Sequence, residues 1–278
     1  ILECARARIG HLYPPVEVTP QIAEGRPELK PLVGKRLPVI AWIWARTVRS
    51  PNPAVRGAHV PLMSTFRLSS KPGSEAWLEP HVDRALATWC FSVQTGAPAH
   101  KEIVKSGTKT GRAKFRCLLT GDPITDDHIK AEGLAARLGA CLVAVVAEGK
   151  RGRVYLKADP GQAQASRVET PVDAIHGELA NDPRNIWCVG YGLRFFSDLF
   201  TPRQLTAIHA LSHLVKEVRQ DVCRDALSAG LPASEVDGYA NTCVTFLALA
   251  LDRCADLNNA LCRWDSSAAG QRIKNLFG

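Results

Sequence analysis

Cys117-Leu118-Leu119-Thr120-Gly121 presents half of a metal-binding pattern. A C-x-x-C-G turn offers two thiolates from one tight bend, and structural zinc takes four sulfur or imidazole ligands in a tetrahedron. Here Thr120 stands where the second thiol would be, and the nine cysteines form no C-x-x-C pair. The turn reads either as one that never bound metal or as one that has lost it. Neither reading predicts a metal site. His209 and His213 lie at i and i+4, a spacing at which two imidazoles on a helix can share an ion. No recognisable ligand set is completed around them. Packing or partial exposure is the preferred reading, and a small enzyme using this pair is the alternative.

The second chemical feature is charge. Residues 101 to 116 carry six basic side chains against one acid. Lys105, Lys109, Arg112, Lys114 and Arg116 in this run could follow the phosphates of a nucleic acid, as could Lys150, Arg151 and Arg153 in a later turn. The bland alternative is a solvated loop and a hairpin tip. Signatures of catalysis are missing: there is no G-x-G-x-x-G, G-x-x-x-x-G-K-[ST], G-x-S-x-G or H-E-x-x-H. The sequence thus supplies no catalytic residue and no cofactor loop.

With 278 residues, 46% of them hydrophobic, the chain can build one large core or two modest ones. A net charge of +8 suits a polyanionic partner but is also common among basic enzymes. No apolar run, Val244–Leu251 included, approaches the roughly 20 residues of a membrane span. An odd number of irregularly spaced cysteines fits free thiols in a reducing cytoplasm. Ile1, Leu2, Ala5 and Ile9 fall at helical spacing, so a helix is expected to be under way at the first residue, with Gly10 and Pro14-Pro15 stopping it. This suggests an excised piece of a longer protein; the alternative is an independent protein lacking its start.

Several elements position these residues. "LPVIAWIWARTV" (37–48) reads as a strand, Pro51 and Pro53 force a turn, and "STFRLS" (64–69) alternates like a second strand. Thr125, Asp126 and Asp127 favour the start of a helix that Gly139 can close. "ACLVAVVAEG" (140–149) has the pattern of a strand buried on both faces, and "RVYLK" (153–157) follows it across a turn. Thr201-Pro202-Arg203-Gln204 combines a capping box with proline at the first helical position. Leu205, Ile208, Leu211, Val215, Val218 and Val222 then form one stripe, ended by Gly230 and Pro232. A last helix is expected over about 234–264, with Val244, Leu247, Leu251, Leu257, Leu261 and Trp264 on a stripe. Its apolar middle predicts burial on more than one side.

Taken in order, "RIGHLYP", "VIAWIWARTV", "SPNPA", "EAWLEP", "AEGLAARLGACLVAVVAEGKRGRVYL", "YGLRFFSDLFTPRQL" and "ALALDRCADLNNALCRW" resemble the adenine-specific DNA methylase family with a zinc-ribbon insertion. The resemblance runs over nearly the whole chain and is most specific over 131–156 and 198–205. The family typically reads C-P-N-P-A-C-G at its first zinc turn and C-L-x-C-G at its second. Here Ser50 and Val55 occupy the ligand places of the first turn, and only Cys117 survives in the second. The resemblance therefore implies a degenerate ribbon held by packing, with Trp42, Trp44, Phe66 and Phe115 as candidate fillers. The family's S-adenosylmethionine loop and its D-P-P-Y-type catalytic loop have no counterpart: "GDPIT", "ADPGQ" and "NDPRN" lack the second proline and the aromatic.

The resulting expectation is an α+β chain. Residues 1–36 form an N-terminal helix and connector, 37–160 a strand-rich, degenerate zinc-ribbon-like insertion, 161–190 a linker and 191–278 a helical part. The resemblance implies an internal segment of an S-adenosylmethionine-dependent adenine methyltransferase that contributes to DNA engagement. The cofactor would belong to the parent and not to this fragment. The flanking catalytic region would be its neighbour and DNA its partner, with no metal and no membrane. Gly190-Tyr191-Gly192 and Arg194 could lie near the catalytic region. The alternative is a non-catalytic scaffold that binds a partner protein.

Overall fold

A computed structural model describes residues 1–150, 152–182 and 187–275. The expected order holds: a strand-rich part is followed by a helical part. Helix α1 (Leu2–Ile9) leads into a connector carrying β1 (Val16–Glu17) and β2 (Arg36–Leu37), which pair with each other. Strand β3 (Val39–Arg49) is central. It pairs antiparallel with β4 (His59–Leu62) on one side, across the Ser50–Gly57 turn. β5 (Arg67–Ser69), β6 (Ala76–Asp83) and β7 (Thr88–Thr95) make a separate antiparallel sheet in that order. Pro80 is tolerated in β6 because it lies beyond the reach of β5, which pairs only as far as Trp77.

A short helix α2 (Lys101–Ser106) precedes β8 (Lys109–Gly111), β9 (Lys114–Arg116) and β10 (Pro123–Ile124), a small antiparallel sheet. Thr125 caps α3 (Asp126–Leu134) by accepting from His128 N at 3.3 Å. That helix ends at Ala135, and Ala136 takes the left-handed turn at φ 53°. Gly139 does not close the helix; it opens β11 (Gly139–Gly149), where a Cβ would meet Thr47 Oγ1. β11 pairs with β3 and with β12 (Gly152–Lys157), completing the sheet order β12-β11-β3-β4.

The apolar run of β11 has the expected cause. Ala144 and Val146 pack against Phe66, Leu68, Leu78 and Phe91 of the second sheet. Leu142, Val145 and Ala147 pack against Val16, Val18 and Leu29 of the connector. With both faces covered, alternation with polar residues disappears. Each fully buried valine, leucine or phenylalanine among them contributes about 1.5–3 kcal/mol.

After α4 (Pro160–Gln164) the chain is largely irregular until α5 (Pro202–Ser228). Its capping box is formed as expected: Gln204 N donates to Thr201 Oγ1, and Thr201 N donates to Gln204 Oε1 at 2.8 Å. Leu205 and Ile208 of the stripe are buried. α6 (Ala233–Leu257) pairs with α5 but departs from expectation twice. It ends at Leu257, and Trp264 belongs to β13 (Arg263–Asp265), which pairs with β14 (Arg272–Lys274). Only Val236 and Ala240 are buried, whereas Phe246 is 68% exposed and Leu249 and Tyr239 are also exposed. One apolar flank of α6 therefore faces outward, where burial on several sides was predicted. Among the described residues, no helix is long and apolar enough to cross a membrane.

Candidate nucleic-acid interface and adjoining cleft

The two turns singled out in the sequence meet in space. In the first, Asn52 Oδ1 accepts from Ala54 N at 2.8 Å, and Arg56 takes the left-handed conformation. In the second, which joins β9 to β10, Gly121 N donates to Cys117 O and Cys117 N donates to Asp122 O. Asn52 Nδ2 donates to Asp122 Oδ2 at 2.6 Å, tying the turns together. Ser50 Oγ lies 3.3 Å from Cys117 Sγ. Burial pushes the Cys117 thiol up, but hydrogen bonds from Ser50, Thr120 and nearby backbone amides outweigh it and hold the thiol below its ordinary value. Val55 is buried in the same cluster.

One thiol, two hydroxyls and an isopropyl group are not a zinc ligand set. Among the described residues, no group of three or more His, Cys, Asp or Glu is placed to hold a metal. The support is aliphatic: Val48, Val55, Val60, Leu119, Ile124 and Ile129 surround Cys117. Of the four aromatics expected to fill this region, only Phe115 packs here. Phe66 sits between the sheets beside Phe91, Trp42 packs toward the connector, and Trp44 is 37% exposed.

The basic segment is anchored beside these turns. Thr108 N donates to Met63 O, and Thr108 Oγ1 donates to Pro61 O at 3.0 Å. Val104 is buried, and its carbonyl accepts from Phe66 N. These contacts fix α2 and the β8–β9 hairpin on the end of β4. Alternation turns Phe115 inward and leaves Lys114 and Arg116 exposed. Lys105, Lys109 and Arg112 are exposed as well. None of the five makes an ion pair among the described residues, and Arg112 stacks over the Trp187 ring at 5.0 Å.

Lys150 and Arg153 are placed elsewhere. Lys150 is exposed at the tip of the β11–β12 hairpin, beyond the pair Ala147–Val39. Arg153 is half-buried, with its guanidinium 5.5 Å from the Trp264 ring. Arg151 lies outside the described residues. By strand rise, this tip is roughly 20 Å along β3 from the α2–β9 segment. The structure therefore unites Lys105, Lys109, Arg112, Lys114 and Arg116 and separates them from Lys150 and Arg153.

A cleft of about 1160 Å³ runs between β3 and the start of α5. Trp42, Trp44 and Arg46 alternate along β3 and so share a face. Arg203, in the first turn of α5, lies 4.4 Å from the Trp42 ring and 5.2 Å from the Tyr13 ring, and Nη1 donates to Leu12 O. Burial lowers the pKa of both Arg46 and Arg203. Sequence reasoning missed this pair, although the W-x-W-x-R alternation and an arginine inside the capping box were both visible.

Tyr191 also borders the cleft and donates from its hydroxyl to Asp126 Oδ1 at 2.6 Å. Burial and then that carboxylate push its phenol up to about 12. Gly133 and Gly192 let α3 and this loop touch backbone to backbone, since a Cβ at Gly133 would run into the Tyr191 carbonyl. Arg194 is exposed, and its amide is capped by Asp198. The His209 and His213 rings lie 4.5 Å apart, and Glu217, one turn further on, is held by Arg8 at 2.6 Å.

No protein-family model, curated protein or solved structure matches this chain.

Proposed function

We propose that this chain engages DNA through the α2–β9 segment, as an internal part of an adenine-specific methyltransferase. The observation that carries the reading is the set of five exposed cations on one anchored segment, none of which forms an ion pair among the described residues. Such a set gains by releasing counterions from a phosphate backbone. The paired turns support the family resemblance, because Ser50, Val55, Cys117 and Thr120 converge on one cluster.

The aspartates of "GDPIT" and "ADPGQ" do not fit the family's D-P-P-Y-type catalytic loop. Asp122 of "GDPIT" is bonded to Asn52, and Asp159 of "ADPGQ" caps α4 through Gly161 N. Methyl transfer is accordingly assigned to the parent, with S-adenosylmethionine bound outside these residues. A salt titration of duplex DNA binding tests the interface. Each phosphate contact adds about −0.9 to the log–log slope, so replacing Lys109, Arg112 and Lys114 by Gln should flatten it by nearly three. A wild-type slope near zero would exclude the interface. Methyl transfer by this chain alone would exclude the assignment of chemistry to the parent.

The exposed flank of α6, with Tyr239, Phe246 and Leu249, favours a second reading as a protein-binding scaffold. Capture of a protein partner without salt-sensitive DNA affinity would select it.

A further inference from the structure

The cleft between β3 and α5 has an unbalanced lining. Among the described residues, Arg46, Arg67, Arg203 and Arg263 face it, against a single carboxylate, Asp198. One oxygen of that carboxylate already accepts from the amides of Arg194 and Phe195 at 2.7 and 2.9 Å. None of the four arginines makes an ion pair among the described residues. Removing a cation from water without a counter-ion is unfavourable; Arg203 is buried and Arg46 and Arg67 are half-buried, so this part of the lining stands ready for an anion.

Arg203 gives the strongest sign. It is only 6% exposed, and Nε has no acceptor. Its guanidinium is held by the Trp42 and Tyr13 rings and by one carbonyl. It also sits in the first turn of a 27-residue helix, whose N-terminal dipole adds positive potential at the same place. Arg46 has only a marginal contact with Ala260 O at 3.5 Å. Beside these cations, Trp44 lines the cleft while remaining 37% exposed. Its indole face can take a flat aromatic ring. Cations without counter-ions next to an open indole match a ligand with both a phosphate and a base. The cleft is larger than simple phosphate needs.

We propose that this cleft binds a nucleoside phosphate, with the phosphate on Arg46 and Arg203 and the base on Trp44. The nucleotide can come free or as a unit of a single strand, since both present the same groups. The inference rests on the cleft's own arginines and Trp44, not on the cations of the basic segment.

Calorimetry and tryptophan fluorescence with AMP, adenosine, inorganic phosphate and a five-nucleotide oligothymidylate test it. AMP should bind at least about tenfold more tightly than adenosine or phosphate alone, because each supplies only half of the recognition. Arg46→Gln should weaken AMP by on the order of tenfold to a hundredfold. Trp44→Leu should weaken both AMP and the oligonucleotide. Lys216→Gln, on an exposed part of α5, should change neither. An oligonucleotide tighter than AMP assigns the site to a strand, and the reverse assigns it to a free nucleotide. The proposal is overturned if AMP and the oligonucleotide bind no better than adenosine. It is equally overturned if Arg46→Gln and Trp44→Leu, both folded by circular dichroism, bind AMP as the wild type does.

Discussion

Restoring three thiols should turn the paired turns into a zinc site. The perturbation is Ser50→Cys, Val55→Cys and Thr120→Cys together, leaving Cys117 in place. In a tetrahedral site with Zn–S near 2.3 Å, neighbouring sulfurs lie about 3.8 Å apart. Ser50 Oγ and Cys117 Sγ are now 3.3 Å apart, so the first pair must open by about 0.5 Å, within the reach of side-chain adjustment. Val55 is buried and loses part of its packing, which costs about 1 kcal/mol, and the hydrogen bond from Asn52 N to Ser50 Oγ is weakened. The metal-free variant should therefore be about 1–2 kcal/mol less stable than the wild type. Zinc at a thousandfold above its dissociation constant returns about 4 kcal/mol. The net effect is a melting temperature below wild type without zinc and above it with zinc. Thermal melts measure this directly, and cobalt substitution reports geometry through intense tetrahedral d–d bands. Adding Cys117→Ala should abolish both signals. A variant that folds but shows no zinc-dependent shift, or only weak octahedral cobalt bands, would refute the argument that the turns keep a ribbon's geometry.

Three smaller predictions probe the framework. Gly133→Ala would ordinarily gain about 1 kcal/mol in a helix, yet the added Cβ meets the Tyr191 backbone; a net loss of roughly 1–3 kcal/mol in denaturant unfolding is expected. Thr201→Ala removes the acceptor for Gln204 N and should cost about 1 kcal/mol by the same measurement. Asp265 accepts from Ser267 N and also faces Lys274, and these hold its carboxyl at about 2. A lowered folded-state value means its contribution is present above the ordinary carboxylate range and lost as pH falls through about 2. Carboxyl-carbon NMR titration checks this, and an ordinary midpoint for Asp265 would contradict it.

What the sequence made legible was local. The start of α5 could be read because capping box, proline and stripe lie within a few residues of one another. β11 could be read because burial on both faces leaves an unbroken apolar run. The end of α6 could not, because Asn258 and Asn259 turn the chain without glycine or proline, and the apolar stripe continues past them to Trp264. Its exposure was also hidden: an apolar helix normally implies cover, and nothing within the helix reveals that the cover is absent. The β6–β7 hairpin is harder to read, because Pro80 stands within β6 and is tolerated only through the short reach of β5.

The candidate sites follow the same division. The basic run is contiguous in sequence and stays contiguous on the folded surface, so charge alone located it. Lys150 and Arg153 belong to the same charge class, but pairing of β11 with β3 carries them to the far end of the sheet. Arg46 and Arg203 show the opposite case. Neither carries a motif, and their neighbourhood arises only when the strand face of Trp42 and Trp44 meets the first turn of α5. What distinguishes them is the company they lack. An exposed lysine without a carboxylate is ordinary because water solvates it, but a buried arginine without one has given up that solvation and retains its charge. The less obvious pair is therefore the more demanding physically, and the cleft holds the sharper functional signal although the hairpin holds more charge.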